Sequence, residues 1–280
     1  MKLKKIVGFL FLLSTAAFAS QQVPDSLKNK WTPSFVAGFG INQIAFSNWV
    51  KGGDNSISWT LLGDFHYDYN GDLWTLKNSI KVTYGRSKVG LESYRTTDND
   101  LYIENVLVHN LGWAVSPFVS NSIRTQVARG FDYKQDPAPE ISNLFDPGYV
   151  TQTIGFTYDK YSNIITRLGI GIQETFTNKF RQYTDPQNSV KTFRLETGIE
   201  SVTDINYKID DNIIYTGKFR FFTQFKSLDV WDVRLDNIIA AKITKYISVN
   251  FTYLVIYEKV QSPYTQVKEG LQIGIVYNIL

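Results

Sequence analysis

The chain has 280 residues, of which 43% are hydrophobic and 15% aromatic, and it contains no cysteine. This composition excludes disulfides, thiolate catalysis and cysteine-based metal sites. The formal net charge is +3, but residues 1–19 hold three lysines and no acid, which leaves 29 − 3 = 26 basic and 26 acidic side chains in the remainder. A balanced charge supplies no electrostatic attraction to nucleic acid, and no nucleic-acid partner is predicted.

Residues 1–19 are predicted to be a secretory signal peptide. Three lysines precede the apolar run from Ile6 to Leu13, and Ala17-Phe18-Ala19 suits cleavage before Ser20. The apolar run is shorter than the roughly 20 residues that a spanning helix requires, and no later segment approaches that length. We therefore expect an exported chain, with residues 20–31 as a periplasmic N-terminal segment and residues 32–280 as one domain.

From residue 33 onward, stretches of about ten to sixteen residues alternate between apolar and polar side chains. Alternation turns one set of side chains toward lipid and the other toward a polar interior, as in outer-membrane barrels. The pattern predicts an all-β fold, a single closed antiparallel transmembrane β-barrel of about 12 strands. The predicted strands are Pro33–Phe46, Asn55–Tyr67, Leu73–Tyr84, Leu101–Leu111, Pro117–Phe131, Tyr149–Tyr158, Ile164–Phe176, Thr192–Tyr207, Ile213–Phe225, Val233–Ile243, Ile247–Tyr257 and Gly270–Ile279.

The predicted connections alternate between short turns and longer loops, as expected for periplasmic turns and external loops. Prolines fall at strand starts or in the long loops, where no ladder hydrogen bond is lost. Aromatic residues lie near both strand ends, which favours two membrane interfaces. The predicted long loops are Asn48–Asp54, Gly85–Asp100, Asp132–Gly148, Thr177–Lys191, Lys226–Asp232 and Glu258–Glu269.

Charged residues of both signs fall on the predicted inner face. Such an interior is either a hydrated channel or an ion-pair network that closes the lumen, and a barrel of about 12 strands lies between the filled and open regimes. Both interpretations stay open. The candidate lumen-lining residues are Lys77, Lys81, Glu104, Arg124, Arg167, Arg194, Glu196, Glu200, Lys218, Arg220, Arg234 and Asp236.

No catalytic, cofactor or metal site is predicted. Glu196 and Glu200 share a strand face, but four extended residues separate them by roughly 13 Å, so ion pairing is favoured over paired acid–base work. His66 and His109 are the only histidines. A phospholipase with a histidine-dependent site is the enzyme alternative, and histidine at a membrane interface is preferred.

The segment Phe46–Trp59 is the most distinctive local motif. Its candidate residues Asn48, Trp49, Gly52, Gly53 and Asn55 include glycines and asparagines that tolerate positive φ, so a hairpin loop is predicted. Binding of a sugar or a partner protein is the alternative.

Two acidic segments invite a calcium interpretation. They are Asp98-Asn99-Asp100 and the loop Asp132–Gly148, and neither has the spacing of a calcium loop. Solvated loop charge is the preferred interpretation.

The pattern SNW-x-x-GG-x-N-S-x-S from Ser47 to Ser58, followed by Tyr84-Gly85-Arg86, resembles the outer-membrane family called domain of unknown function 3078, which is typical of Bacteroidota. The resemblance implies a barrel in the outer membrane. It implies no activity.

The predicted function is an outer-membrane barrel that acts as a narrow channel for small polar solutes. The alternative is a closed barrel that serves as a structural or accessory subunit of an outer-membrane complex. A soluble secreted sandwich is a further alternative, since alternation also occurs there. The expected partners are outer-membrane lipid, the barrel insertion machinery, and either small polar solutes or another outer-membrane protein.

Overall fold

The computed structural model describes residues 28–48, 50–161, 163–259 and 262–278. The predicted signal peptide and Trp49 of the loop motif lie outside these described residues. Within them the fold is all-β, apart from one short 3-10 turn at Arg181–Tyr183. Across the described part of the chain, no helix is long and apolar enough to cross a membrane.

The described residues form fourteen strands, and twelve of these close into an antiparallel barrel, which confirms the predicted fold. Around the ring the order is β1-β14-β13-β12-β11-β10-β9-β8-β5-β4-β3-β2. The strands are β1 (Trp31–Ile44), β2 (Ser56–Asn70), β3 (Trp74–Val89), β4 (Arg95–His109), β5 (Val115–Thr125), β6 (Gly130–Phe131), β7 (Glu140–Ser142), β8 (Gly148–Tyr161), β9 (Ile164–Phe176), β10 (Phe193–Lys208), β11 (Ile213–Gln224), β12 (Ser227–Lys242), β13 (Ile247–Glu258) and β14 (Gln266–Asn278).

Closure is made by β1, which pairs with β2 on one side and with β14 on the other. The seam runs from Val36 opposite Asn278 to Ile41 opposite Ile273. A ring of this kind leaves no unpaired strand edge, whereas a sandwich would leave edges at both sheets. The alternative of a soluble sandwich is therefore wrong.

Side chains alternate between an apolar outer face and a polar inner face. On β9, Leu168 and Ile170 on the outer face are 56% and 57% exposed, whereas Arg167 and Thr175 on the inner face are 5% and 0% exposed. A water-soluble sheet buries its apolar side. This barrel does the reverse, because its polar groups face one another and its apolar groups face outward.

Several strands are longer or shorter than predicted. The predicted loop Gly85–Asp100 is mostly strand, because β3 continues to Val89 and β4 begins at Arg95, which leaves only residues 90–94 as the connection. The predicted loop Lys226–Asp232 is also mostly strand, because β12 begins at Ser227. Above the apolar band of the outer wall, the strands continue to pair through backbone hydrogen bonds, but polar residues lie on both of their faces. The alternating sequence pattern therefore ends before the strand does. Conversely, β5 ends at Thr125 instead of Phe131, and the following loop contains the small hairpin β6–β7.

The two ends of the barrel differ. At the short-turn end, connections such as residues 71–73 and 110–114 join neighbouring strands closely. At the long-loop end, residues 126–147 and 177–192 form the largest connections.

Candidate functional site

All twelve predicted lumen-lining residues lie on the inner face, as the strand register and alternation require. The register places Lys218 opposite Asp236, and Lys81 opposite Asp64. The lumen they line is not uniform. One half is filled by side chains, and the other half contains exposed inner-face residues and several glycines.

The filled half is centred on Glu104 of β4, which reaches across the lumen. Its two carboxylate oxygens lie 2.7 Å from Lys218 Nζ on β11 and 3.0 Å from Arg167 Nη2 on β9. Asp204 accepts from the same two cations, at 3.0 and 2.7 Å. Because five strand steps around the ring separate β4 from β11, this cluster of four bridges the barrel interior.

The predicted carboxylates Glu196 and Glu200 belong to two separate ion pairs. Glu200 accepts from Arg220 Nε at 2.7 Å, and Glu196 lies 3.2 Å from Arg194 Nε. Gln173 links the two pairs, because it accepts from Arg220 at 2.8 Å and donates to Glu196 at 3.1 Å. Each carboxylate is thus neutralised by its own arginine.

A third cluster lies toward the long-loop end. Arg234 binds Asp236 at 2.9 Å, and Arg124 binds Asp100 at 3.3 Å. Arg234 also approaches Asp100 to 4.0 Å, although β12 and β4 stand opposite each other in the ring. The guanidinium of Arg124 lies 4.5 Å from the ring centroid of Tyr102, which adds a cation–π contact.

Between these clusters the filled half retains a chamber of about 210 Å³. The long loops contribute Pro147 and Tyr183 to its lining. Burial, reinforced by the nearby Asp146 carboxylate, raises the pKa of Tyr183 above its ordinary value, so this phenol stays neutral. The chamber therefore offers charged groups of both signs together with neutral hydroxyl groups.

The second half of the lumen is lined by β1–β3, β13 and β14. Inner-face residues here stay partly exposed: Leu62 is 37% exposed and the side chain of Lys81 is 39% exposed, against 12% for Glu104. Glycines replace side chains on the inner face of the two seam strands, at Gly38 and Gly40 of β1 and at Gly270 and Gly274 of β14. We call this half the open half, because its inner-face side chains stay partly exposed.

An ion pair crosses the open half near the long-loop end. Lys268 of β14 forms an ion pair with Asp98 of β4 and donates to the carbonyl of Thr97 at 2.8 Å. Thr60 donates to Asp98 at 3.3 Å and accepts from Gln272 at 2.9 Å. We call the Lys268–Asp98 ion pair the mouth bridge.

Sequence reasoning did not find the mouth bridge. Its partners are 170 residues apart, so no local spacing connects them. The alternating pattern placed both residues on the inner face, and this was the only sequence feature that pointed to them. Lys77, which was predicted, lies on the inner face near the short-turn end and is exposed there.

The two histidines lie on opposite faces of the wall. His66 on the inner face has its Nε2 atom 2.9 Å from Asp64, while the ring of His109 packs against Trp74 at a centroid distance of 4.3 Å. They therefore do not converge on one site. Among the residues that the structure describes, no three His, Asp or Glu side chains are placed to hold a metal ion.

The acidic segments of the calcium alternative are engaged elsewhere. Asp98 and Asp100 take part in the ion pairs above. Asp146 accepts from the backbone N–H groups of Asn178 and Lys179, at 2.9 and 2.8 Å, and so ties two long loops together.

The loop motif forms a tight connection at the long-loop end. Asn48, Gly52 and Gly53 have φ of +53°, +79° and +113°, and Asn55 Oδ1 accepts from the N–H of Phe46 at 2.6 Å. The residue types that tolerate positive φ thus occupy the positions that need it.

We expect Gly53→Ala to destabilise this loop more than Gly52→Ala. A Cβ at Gly53 would lie 3.0 Å from Phe46 Cζ, whereas nothing lies within 4 Å of one at Gly52, whose φ is also closer to the left-handed helical region. The difference in the free energy of unfolding should be about 1 kcal/mol, measured by urea titration in detergent. Equal effects would contradict the stated role of the Phe46 contact.

Comparison with known families gives one match. Residues 41–131 match the family model described as protein of unknown function (DUF3078). This match confirms the predicted resemblance to that family over this segment. The matched range runs from the end of β1 through β5 to Phe131.

Three solved structures of similar shape are an outer membrane channel from Pseudomonas putida F1, the NanC porin and the translocator domain of the autotransporter NalP from Neisseria meningitidis. The first is 9% identical with a TM-score of 0.40, covering 88% of this chain and 94% of the other. The porin is 10% identical with a TM-score of 0.41, covering 88% and 100%. The autotransporter domain is 9% identical with a TM-score of 0.36, covering 88% and 87%. Likeness at this level carries no conclusion about function. No curated protein matches the chain.

Proposed function

We propose that this chain is an outer-membrane β-barrel that acts as a narrow channel for small polar solutes. The proposal includes export through the predicted signal peptide, contact with outer-membrane lipid and delivery by the barrel insertion machinery. It assigns no catalytic role. The unequal lumen, with one filled half and one open half, is the observation that carries it.

Membrane insertion is supported by the outer wall. Large apolar side chains stand exposed around the ring, including Phe39 on β1, Leu61 on β2, Ile154 on β8 and Leu271 on β14, at 40% to 64% exposure. A water-soluble protein does not present so continuous an apolar surface. Closure satisfies the backbone hydrogen bonds that lipid cannot satisfy.

Conduction is supported by the open half of the lumen. Leu62 and Lys81 on the inner face of this half stay partly exposed, and Lys81 lies 3.6 Å from Asp64, which places charges of both signs there. The filled half holds the wall rigid through its ion pairs. A bore narrowed in this way admits small hydrated solutes and excludes large ones.

The alternative is the closed barrel that serves as an accessory subunit of an outer-membrane complex. It is favoured by the mouth bridge between Lys268 and Asp98, which crosses the open half. In this alternative the bridge is permanent, and the long loops contact another outer-membrane protein.

The test is single-channel conductance of the refolded chain in a planar bilayer with a tenfold salt gradient. The wild type is expected to show discrete steps. Lys81→Glu should move the reversal potential toward cation selectivity by on the order of 10 mV, against a limit of about 59 mV for an ideally selective pore. Lys268→Met should raise conductance, because it removes the mouth bridge.

Lys208→Gln is the matched control. Its side chain is 62% exposed and pairs with Asp211 at the short-turn end, away from the open half. Its reversal potential should equal that of the wild type. A barrel that inserts but stays silent in all four proteins would contradict the channel and favour the accessory subunit.

A further inference from the structure

The motif Tyr84-Gly85-Arg86 contributes no side chain to the lumen. Gly85 faces inward, since a Cβ there would lie 2.8 Å from Asp98 Oδ2 and from Thr60 Oγ1. Its neighbours Tyr84 and Arg86 therefore point to the outer wall of β3, where Tyr84 packs against Trp59 at a ring-centroid distance of 5.9 Å. Arg86 is therefore a charged residue on a wall that is otherwise largely apolar.

The loop after β5 folds outward over this part of the wall. Asn99 Oδ1 on β4 accepts from the N–H groups of Val127 and Ala128 at 2.8 and 2.9 Å, and its amide donates back to the Ala128 carbonyl at 2.7 Å. Farther along, the Tyr133 hydroxyl accepts from Thr96 N–H at 2.9 Å. The loop is thus held against β3 and β4 and leaves a groove between itself and the barrel.

The groove has a volume of about 530 Å³. It combines aromatic rings with guanidinium groups. Its lining includes Tyr84, Arg86, Tyr94, Arg129, Phe131 and Tyr133.

Cations surround one ring of the groove. The Arg86 guanidinium carbon and Lys88 Nζ lie 5.3 and 5.8 Å from the centroid of Tyr94, and Arg86 Nη2 donates to the Tyr94 carbonyl at 2.8 Å. Arg86 Nε is buried and finds no hydrogen-bond acceptor anywhere in the described chain. Arg95 and Arg129 add positive charge, which Glu92 and Glu140 partly offset. The Arg86 guanidinium and the Lys88 ammonium therefore place two positive charges around the Tyr94 ring.

The height of the groove along the barrel corresponds to one headgroup layer of a membrane. Trp74, 46% exposed at the short-turn end, begins β3, and Arg86 follows it by 86 − 74 = 12 residues. At about 3.3 Å per residue and a tilt of about 40°, Arg86 stands roughly 30 Å above Trp74. The apolar band of outer-membrane barrels is about 25 Å tall, so Arg86 lies at the opposite headgroup level.

We propose that this outer-wall groove binds the phosphorylated sugar headgroup of the glycolipid that forms the outer leaflet. The phosphate pairs with the Arg86 guanidinium and the Lys88 ammonium, the sugar faces pack on the tyrosine rings, and the acyl chains lie on the apolar wall below. A ligand from bulk water would not need a groove that opens along the lipid-facing wall. The inference rests on the proposed outer-membrane location with the long loops outside.

The test uses the full chain in phosphatidylcholine vesicles that contain a small fraction of bisphosphorylated lipid A. Lipid retained per barrel after detergent extraction is counted by native mass spectrometry. Retention of lipid A should exceed that of phosphatidylglycerol, and removal of its phosphates should abolish the excess. Arg86→Gln should lower retention about tenfold, as expected for loss of a charge-assisted hydrogen bond. Tyr94→Ala, on an exposed tip, gives a second variant that leaves the wall intact.

Lys245→Gln is the matched control, because its ammonium lies 4.8 Å from the Tyr246 ring at the short-turn end. Retention equal to the wild type is expected there. Equal retention of phosphatidylglycerol would overturn the inference, as would unchanged retention in both groove variants, or competition by soluble glucosamine phosphate at the same concentration as lipid A. Flotation and conductance in vesicles without lipid A test the proposed function separately.

Discussion

Replacing Glu104 with glutamine is expected to lower the free energy of unfolding by about 3 kcal/mol. The neutral amide leaves Lys218 and Arg167 with Asp204 as their remaining partner in the cluster that bridges the lumen. The Glu104 side chain is only 12% exposed, so water compensates little for the lost charge. Urea unfolding in detergent, followed by tryptophan fluorescence, measures the change.

Glu92→Gln is the matched control for the same substitution. Glu92 is 55% exposed and pairs with Arg95 at 2.9 Å in the tip between β3 and β4, and the expected change is within about 0.5 kcal/mol. Adding Lys218→Met to Glu104→Gln should recover part of the loss, because it removes one uncompensated cation. Equal stability of the two single variants would show that the cluster contributes nothing.

Gly155→Ala is expected to be the second severe change, with a loss of about 3 kcal/mol or failure to assemble. Gly155 of β8 faces Gly169 of β9 across the ladder. An added Cβ would lie only 2.8 Å from the carbonyl carbon of Leu168, and backbone atoms cannot move aside as a flexible side chain can. Heat-modifiable migration on a gel reports the assembled fraction.

Gly38→Ala provides the comparison. Gly38, like Gly155, faces the lumen. The nearest atom to an added Cβ at Gly38 is Leu62 Cβ at 3.6 Å, which is an ordinary contact. The variant should assemble fully and change the free energy of unfolding by less than about 1 kcal/mol. If Gly155→Ala assembled as well as Gly38→Ala, close backbone packing between β8 and β9 would not be required.

Alternation predicted the fold well because each strand carries its own signal. On β9 the outward Leu168 and Ile170 and the inward Arg167 are distinguishable from ten residues of sequence. Strand ends were less predictable. The extension of β3 to Val89 has polar residues on both faces, and its pairing with β4 depends on ladder hydrogen bonds that any residue type makes.

The candidate lumen residues could be assigned to a face but not to partners. Glu104 is 114 residues from Lys218, and Lys268 is 170 residues from Asp98, so no spacing rule relates them. The groove on the outer wall also depends on contacts between residues that are far apart in the sequence. Arg86 was visible as part of a motif, but its meeting with Tyr94 and Phe131 depends on a loop that folds over the wall.

The sequence by itself determined the class of this protein, because alternation, turn residues and the balance of charge are local properties that every strand repeats. Only the tertiary structure decided the shape of the lumen. Closing the ring brings β4 opposite β11 and β12, which pairs charges across the filled half. It also brings together the seam strands β1 and β14, which carry glycines on the inner face of the open half. Contacts across a closed ring depend on strand number and register, and these are properties of the whole barrel.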